Sequence, residues 1–113
     1  MANPQKAKGD RAELEAASLL SELLGVPARR ELGAGRLDDT GDIAGVPDHS
    51  IQIASWKDTA AAAVQKPKGA EAQRLNAGRA HAVTMVRFRG GTWRMVLTPE
   101  QWARLVKAAG IVV

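Results

Sequence analysis

The stretch that most constrains the fold is residues 41–57, GDIAGVPDHSIQIASWK, which has the pattern of two short apolar strands joined by a turn. The Val-Pro-Asp sequence between them is a turn signal, because proline fixes its own φ and aspartate bonds nearby backbone groups. Alternation along the second strand puts Gln52 on the face opposite Ile51 and Ile53. The stretch therefore predicts two strands, with Asp42 on the first of them.

Helical periodicity marks the chain before these strands. Apolar residues recur at helical spacing from about residue 8 to Leu24, and a glycine and a proline then end the pattern. Asp10 is a candidate cap or first-turn acid of this helix, and residues 1–7 are expected to be flexible. A first strand is predicted over residues 28–32.

Both kinds of pattern recur in the second half of the chain. A helical region over residues 58–78 contains Pro67 and Gly69, which predicts two helices or one kinked helix. Strands are predicted over residues 81–88 and 92–97, joined by a tight turn at Arg-Gly-Gly.

The last helix has the clearest start signal, with Thr98 as the cap and Gln101 completing a capping box. Trp93 and Trp102 are expected to pack in the core. The order helix, three strands, helical region, two strands, helix predicts an α/β fold with a mixed sheet of about five strands flanked by helices. A chain of 113 residues has room for one modest core, so we expect a single domain over residues 1–113.

The charge of the chain is basic and is spread over every element. Sixteen Lys and Arg against twelve Asp and Glu give a net charge of +4, with a pI of about 10.0. This balance suits a polyanionic partner, and scattered basic residues suit phosphate contacts better than a compact base-reading motif. Solvated surface charge is the alternative explanation. The candidate DNA-binding residues are Lys8, Arg11, Arg36, Lys66 and Lys68.

Two acidic residues occupy positions where a carboxylate has a chemical use. Glu13 lies on or beside the apolar stripe of the first helix, where a carboxylate is costly unless it is paired or metal-bound. Phosphodiester hydrolysis at neutral pH needs a hard divalent cation held by oxygen ligands, which Glu13, Asp42 and a ligand on the neighbouring strand would supply. The structural alternatives are a stripe-edge ion pair for Glu13 and a turn or strand-end role for Asp42.

Three segments together resemble one enzyme family. They are KGDRAE at residues 8–13 followed by a leucine-rich helix, GDI at residues 41–43, and IQIA at residues 51–54. In this order and spacing they resemble the PD-(D/E)xK nuclease superfamily, in particular the small archaeal-type Holliday junction resolvases and their phage relatives. The resemblance covers most of the chain. It implies a restriction-endonuclease-like core, a Mg²⁺ or Mn²⁺ cofactor, and a homodimer that cuts branched DNA.

The resemblance also implies roles for individual residues. Glu13 corresponds to the helix-borne acid, Asp42 to the metal-binding acid of the first strand, and Gln52 to the acidic position of the second. These three are therefore the candidate metal ligands, expected around one shared cation. Gln52 replaces an acid with a neutral amide, and Ala54 stands where the family has its catalytic lysine. Lys57, just beyond the strand, is the candidate replacement, and a surface or phosphate-binding lysine is the alternative.

The sequence thus predicts a metal-dependent DNA endonuclease that hydrolyses phosphodiester bonds in branched DNA. The alternative is a catalytically degenerate nuclease fold that acts as a DNA-binding or protein-interaction module, as Gln52 and Ala54 would suggest. A basic structural or regulatory protein unrelated to nucleases is a third hypothesis. Trp56, beside the candidate site, is the aromatic residue expected to touch a nucleotide or a partner subunit.

Other features of the sequence argue against further classes of protein. His49 and His81 have no ligand-like spacing, and the absence of cysteine excludes thiolate zinc sites and a cysteine nucleophile. No apolar run approaches the length that spans a bilayer. We therefore expect no membrane association and a cytoplasmic location.

Overall fold

The computed structural model describes residues 4–31 and 41–113, which form a mixed five-stranded sheet flanked by three helices. The elements are α1 Pro4–Leu24, β1 Arg29–Arg30, β2 Ile43–Ala44, β3 His49–Ala54, α2 Thr59–Ala77, β4 His81–Phe88, β5 Thr92–Val96 and α3 Pro99–Ala108. A short 3₁₀ turn, Arg89–Gly91, joins β4 to β5. The expected α/β class, with a mixed sheet of about five strands between helices, is confirmed.

The strands lie in the order β1-β2-β3-β4-β5. β3 and β4 are parallel, and α2 is the crossover that connects them, whereas the other neighbouring strands are antiparallel. The parallel register places Gln52 beside Thr84 and His49 beside His81. Residues that are 32 positions apart in the sequence thus become neighbours at the centre of the sheet.

The two faces of the sheet are covered by different helices. Ile51 and Ile53 of β3 belong to one buried apolar cluster with residues of α1. Ala54 and Val86 belong to a second cluster, with Ala62 of α2. Because side chains alternate along a strand, the odd-numbered residues of β3 face α1 and the even-numbered residues face α2.

The α2 side of the sheet contains a layer of polar residues, Ser50, Gln52 and Thr84, and all three are buried. Within the described ranges, Ser50 Oγ, Gln52 Oε1 and Thr84 Oγ1 have no hydrogen-bond partner. Buried oxygens usually have a partner, so this polar layer is a source of instability beneath α2.

A single helix, α2, occupies the region where two helices or a kinked helix were expected. Asp58 caps its first turn by accepting a hydrogen bond from the Ala61 amide, and Gly78 ends it in the left-handed conformation. Pro67 lacks an N–H donor, yet it is buried within the helix and its carbonyl accepts a hydrogen bond from Gln101 Nε2. Packing of α2 on the sheet and on α3 offsets the one hydrogen bond that the proline removes.

The first helix begins earlier than the sequence pattern predicted. It starts at Pro4 rather than near residue 8, because proline is well accepted in the first turn of a helix. Asp10 therefore lies inside α1 and is not its cap. Among the described residues of the first predicted strand, Arg29–Arg30 pair with β2, and Leu32 lies outside the described residues.

The capping box of α3 is confirmed, because Thr98 Oγ1 and Gln101 Oε1 each accept the backbone amide of the other residue. Gln101 is buried, whereas Trp102 is 60% exposed, so the expectation that Trp102 packs in the core was wrong. Trp93 is half-buried and packs against the α1-side cluster. No helix in residues 4–31 and 41–113 is long and apolar enough to cross a membrane.

Candidate active site and nucleic-acid interface

Glycine brings the start of β2 close to β3 and so fixes the position of Asp42. Gly41 has a φ of 124°, and a Cβ on it would lie 3.1 Å from the Ile51 amide nitrogen. The Asp42 amide donates to the Ile51 carbonyl at 2.8 Å, and Asp42 Oδ2 accepts from the Ile53 amide, also at 2.8 Å. The Asp42 carboxylate is therefore held against the edge of β3 by backbone geometry.

Glu13 approaches the same region from α1, and its side chain is only 16% exposed. Burial raises the pKa of the Glu13 carboxyl, and the nearby negative charge of Asp42 raises it further. Arg30 opposes this shift with its guanidinium at 3.6 Å from Glu13 Oε1, and it also bonds Asp10 Oδ1 at 2.8 Å. We refer to Asp10, Glu13 and Asp42, with Arg30 between them, as the acidic cluster.

Gln52 does not join Glu13 and Asp42. It lies on the α2 face of β3, in the polar layer, whereas Glu13 lies on the α1 side of the sheet. Ala54 lies on the α2 face as well. Strand alternation gives the reason, since Ile51 and Ile53 are the residues that α1 covers. Glu13 and Asp42 are thus close enough for their charges to interact, whereas Gln52 lies on the other face of the sheet.

The acidic cluster fits a divalent cation only in part. Among the described residues, no group of three or more His, Cys, Asp or Glu side chains is arranged to hold a metal ion. Magnesium requires less than this, because it commonly binds one or two carboxylates and completes its shell with water and substrate phosphate. Glu13 and Asp42 are the two carboxylates that would have to meet that smaller requirement, and Gln52 is not a member of the set.

A basic cleft opens beside the acidic cluster. Its main cavity has a volume of about 590 Å³ and is lined by Lys8, by Ser55, Trp56, Lys57 and Thr59 after β3, and by residues 87–90 at the β4–β5 turn. Two smaller cavities, of about 430 and 340 Å³, adjoin it, and Lys8 and Ser55 line all three. Four of the nine residues around the main cavity carry a positive charge and none is acidic, so the cleft suits an anion.

Lys57, the candidate catalytic lysine, lies in this cleft and is exposed. It follows the end of β3, so strand alternation no longer fixes where it points. One of the smaller cavities is lined by Lys57 and by Ile53, the residue whose amide binds Asp42. Gly9 lines this cavity as well, and Glu13 lies one helical turn further along α1. Lys57 therefore lines the same cavity as Ile53, the backbone partner of Asp42.

The candidate DNA-binding residues fall in different places. Lys8 lines the basic cleft, and Arg11 lines the adjoining cavity of about 340 Å³. Lys66 lies over the Trp56 ring, with Nζ at 5.3 Å from the ring centroid. Lys68 lines a separate pocket between α2 and α3, away from the cleft. Arg36 lies outside the described residues.

Two residues of the cleft, Arg87 and Arg89, were not singled out as site residues from the sequence. Arg87 Nε donates to Glu15 Oε1 at 3.1 Å, and the Trp93 indole donates to the same oxygen at 2.7 Å. These two hydrogen bonds lower the pKa of Glu15, and the hydrogen bond from Arg87 has the larger effect. Arg87 and Arg89 lie on either side of Phe88, the last residue of β4. Because β3 and β4 are parallel, the ends of the two strands lie next to each other, so a prediction of this pairing would have indicated both arginines.

His49 and His81 are neighbours, which their sequence spacing did not indicate. The parallel register pairs them, and their ring centroids are 5.0 Å apart. Burial and the neighbouring His49 ring lower the pKa of His81. His49 Nδ1 lies 2.8 Å from the Pro47 carbonyl oxygen. The pair lies at the opposite end of β3 from the basic cleft.

Comparison with family models, with curated proteins and with solved structures finds no match to this chain. The acidic cluster and the basic cleft are therefore the features of the molecule that bear on its function.

Proposed function

We propose that this protein is a metal-dependent DNA endonuclease of the Holliday junction resolvase type, which hydrolyses phosphodiester bonds in branched DNA in the cytoplasm. The proposal is carried by two carboxylates, Glu13 and Asp42, whose charges interact, and by a cleft with four cationic residues. One of its adjoining cavities is lined by Ile53, the residue whose amide binds Asp42. A phosphodiester has a negative charge that such a cleft attracts, and its hydrolysis needs oxygen ligands for a cation. Both requirements meet in one region of the molecule.

Each residue has a distinct role in the proposal. Glu13 and Asp42 would hold Mg²⁺ or Mn²⁺, which supplies Lewis acidity and lowers the pKa of bound water. Asp42 is oriented for this by the Ile53 amide. Lys57 neutralises charge at the phosphate that is attacked and orients the water, while Lys8 and Arg89 hold the neighbouring backbone.

A second candidate function is DNA binding without cleavage, by a nuclease fold that has lost its activity. The specific observation in its favour is the direction of Gln52, which removes one predicted ligand from the Glu13 side of the sheet. The ion pair of Arg30 with Asp10 and its proximity to Glu13 also reduce the negative charge available to a cation. The two functions use the same basic cleft and differ in whether a metal ion is held beside it.

The test is cleavage of a synthetic four-way junction and of a matched linear duplex, with Mg²⁺ or Mn²⁺. Asp42→Asn is the variant of choice, because an amide oxygen can still accept the Ile53 hydrogen bond and so preserve the fold. We expect it to reduce junction cleavage by at least about 100-fold and to change junction affinity little.

Lys57→Ala should reduce cleavage as well, and Lys107→Ala is the matched control. Lys107→Ala removes the same charge from an exposed position on α3, outside the cleft, so wild-type cleavage is expected. A wild-type protein that binds the junction tightly yet cuts with neither metal would establish the second candidate function. Normal cleavage by Lys57→Ala would remove Lys57 from the proposed mechanism.

A further inference from the structure

The basic cleft contains an exposed aromatic ring among unpaired cations, a combination that serves nucleotides better than phosphate alone. Trp56 is 37% exposed and lines the main cavity together with Lys57 and Phe88. Lys66, which lies over the Trp56 ring, is not among the lining residues. Part of the indole therefore borders the cavity, while a cation outside the cavity contacts the ring.

The cations of the cleft are available to a ligand. Within the part of the chain that the structure describes, the side chains of Lys8, Lys57 and Arg89 form no hydrogen bond or ion pair, whereas the side chain of Arg87 is bound to Glu15. The nearby Asp58 carboxylate is used as the cap of α2. Three unpaired cations around one cavity with no acidic lining repel one another, and an anion that enters the cavity would relieve this repulsion.

The shape of the cavity limits what can enter it. Its volume of about 590 Å³ is that of a pocket for a small ligand, for which the usual range is roughly 300–1,000 Å³. Bases within a duplex are stacked on one another, so their faces are not available to an aromatic side chain. A base of a single strand, or one at a branch point, exposes its face and commonly stacks on such a ring.

We propose that the basic cleft binds an unpaired nucleotide of a DNA strand, with its base stacked on Trp56 and its phosphate held by Lys8, Lys57 and Arg89. This inference rests on the proposed DNA binding and adds the substrate feature that the cleft recognises. The cleft then distinguishes unpaired DNA from duplex DNA without reading sequence, since every base offers a face for stacking.

The experiment compares the affinity for a labelled oligo(dT) strand with that for a duplex of the same length, measured by fluorescence anisotropy at fixed salt. Trp56→Ala should weaken binding of the single strand by roughly 5- to 100-fold, the range that loss of one stacked base implies. Trp56→Phe should retain most of the affinity, because a phenyl ring also stacks. Trp102→Ala removes an equally large and more exposed aromatic from α3, outside the cleft, and should bind like wild type.

Further measurements distinguish a DNA strand from a free nucleotide as the ligand. They also distinguish failure of the nucleotide site from failure of the proposed nuclease activity. Free dTMP should compete only weakly, because it lacks the neighbouring phosphates of a strand; competition as strong as that of the oligonucleotide would make the cleft a mononucleotide site and overturn the inference. Equal affinity of Trp56→Ala and Trp102→Ala for the single strand would also overturn it, even if junction cleavage is normal. Selective loss with Trp56→Ala would support the nucleotide site even if no metal produces cleavage.

Discussion

Glu13 is the residue at which stability and the proposed function conflict. Its carboxyl is largely buried and lies close to another carboxylate, so folding favours its neutral form and raises its pKa. The folded state therefore holds this proton more tightly than the unfolded state does. The contribution of Glu13 to stability falls as the pH rises from about the ordinary value of 4.5 through the raised value.

Replacement of Glu13 by glutamine should raise the Tm at pH 7 while junction cleavage is lost. The neutral amide removes the charge that folding disfavours, and Arg30 keeps its hydrogen bond with Asp10. The gain should shrink as the pH falls from the raised pKa of Glu13 to the ordinary value of 4.5, because folded wild-type Glu13 takes up its proton over this range. Thermal melts at several pH values measure this, with Glu22→Gln on the exposed surface of α1 as the control. A lower Tm for Glu13→Gln at pH 7 would contradict the argument.

At the scale of elements, one carboxylate joins α2 to α3. Glu71 of α2 bonds Arg74 at 2.6 Å within its own helix and Arg104 of α3 at 3.0 Å, and it also accepts from Gln101 Nε2. These bonds lower the pKa of Glu71 to about 2, and the hydrogen bond from Arg74 has the largest effect. The ionised form of Glu71 therefore stabilises the folded state.

Glu71→Gln should lower the free energy of unfolding at pH 7 by an amount on the order of 2 kcal/mol, allowing for the partial exposure of the side chain. The folded pKa lies below the ordinary value of 4.5, so this contribution is present above pH 4.5 and is lost as the pH falls towards 2. Urea unfolding of both proteins at pH 7 and pH 3 tests this. The difference between them should narrow at pH 3, and an equal difference at both values would rule out the Glu71 charge as its cause.

The elements predicted well were those specified by residues close together in the sequence. β4 was predicted at its observed bounds, and the capping box at Thr98 follows from four consecutive positions of the chain, 98–101. Pro67 misled the prediction, because the packing that keeps α2 continuous comes from distant residues. The sequence also separated Gln52 from Ile51 and Ile53, but it could not show which of these faces α1 would cover. That choice depends on tertiary packing, and it decides whether Gln52 can meet Glu13.

At the scale of the whole molecule, apolar side chains remain exposed around one groove. The groove has a volume of about 570 Å³ and lies between the end of α1, the β2–β3 turn, β5 and α3. Leu23, Leu24 and Met95 line it and are 71%, 54% and 49% exposed. If the proposed homodimer forms, this surface is a candidate for its interface, because covering exposed apolar side chains is favourable.

Leu24→Glu should convert the proposed dimer into a monomer, because it places a charge on the surface that the partner would cover. Light scattering after gel filtration at micromolar concentration measures the mass, and the wild type is expected to be a dimer. Val64→Glu on α2 is the control, since Val64 is also largely exposed but lies outside the groove. A monomeric wild type would argue against the homodimer and against paired cutting of two strands.

The polar layer beneath α2 is a region in which substitutions could increase the stability of the protein. The hydroxyls of Ser50 and Thr84 were removed from water and received no hydrogen bond among the described residues in return. An apolar replacement of similar shape, such as Ser50→Ala or Thr84→Val, omits that desolvation and still fills the space. Neither residue lines the basic cleft. Such substitutions on the α2 side of the sheet should therefore raise the stability of the protein without changing the basic cleft.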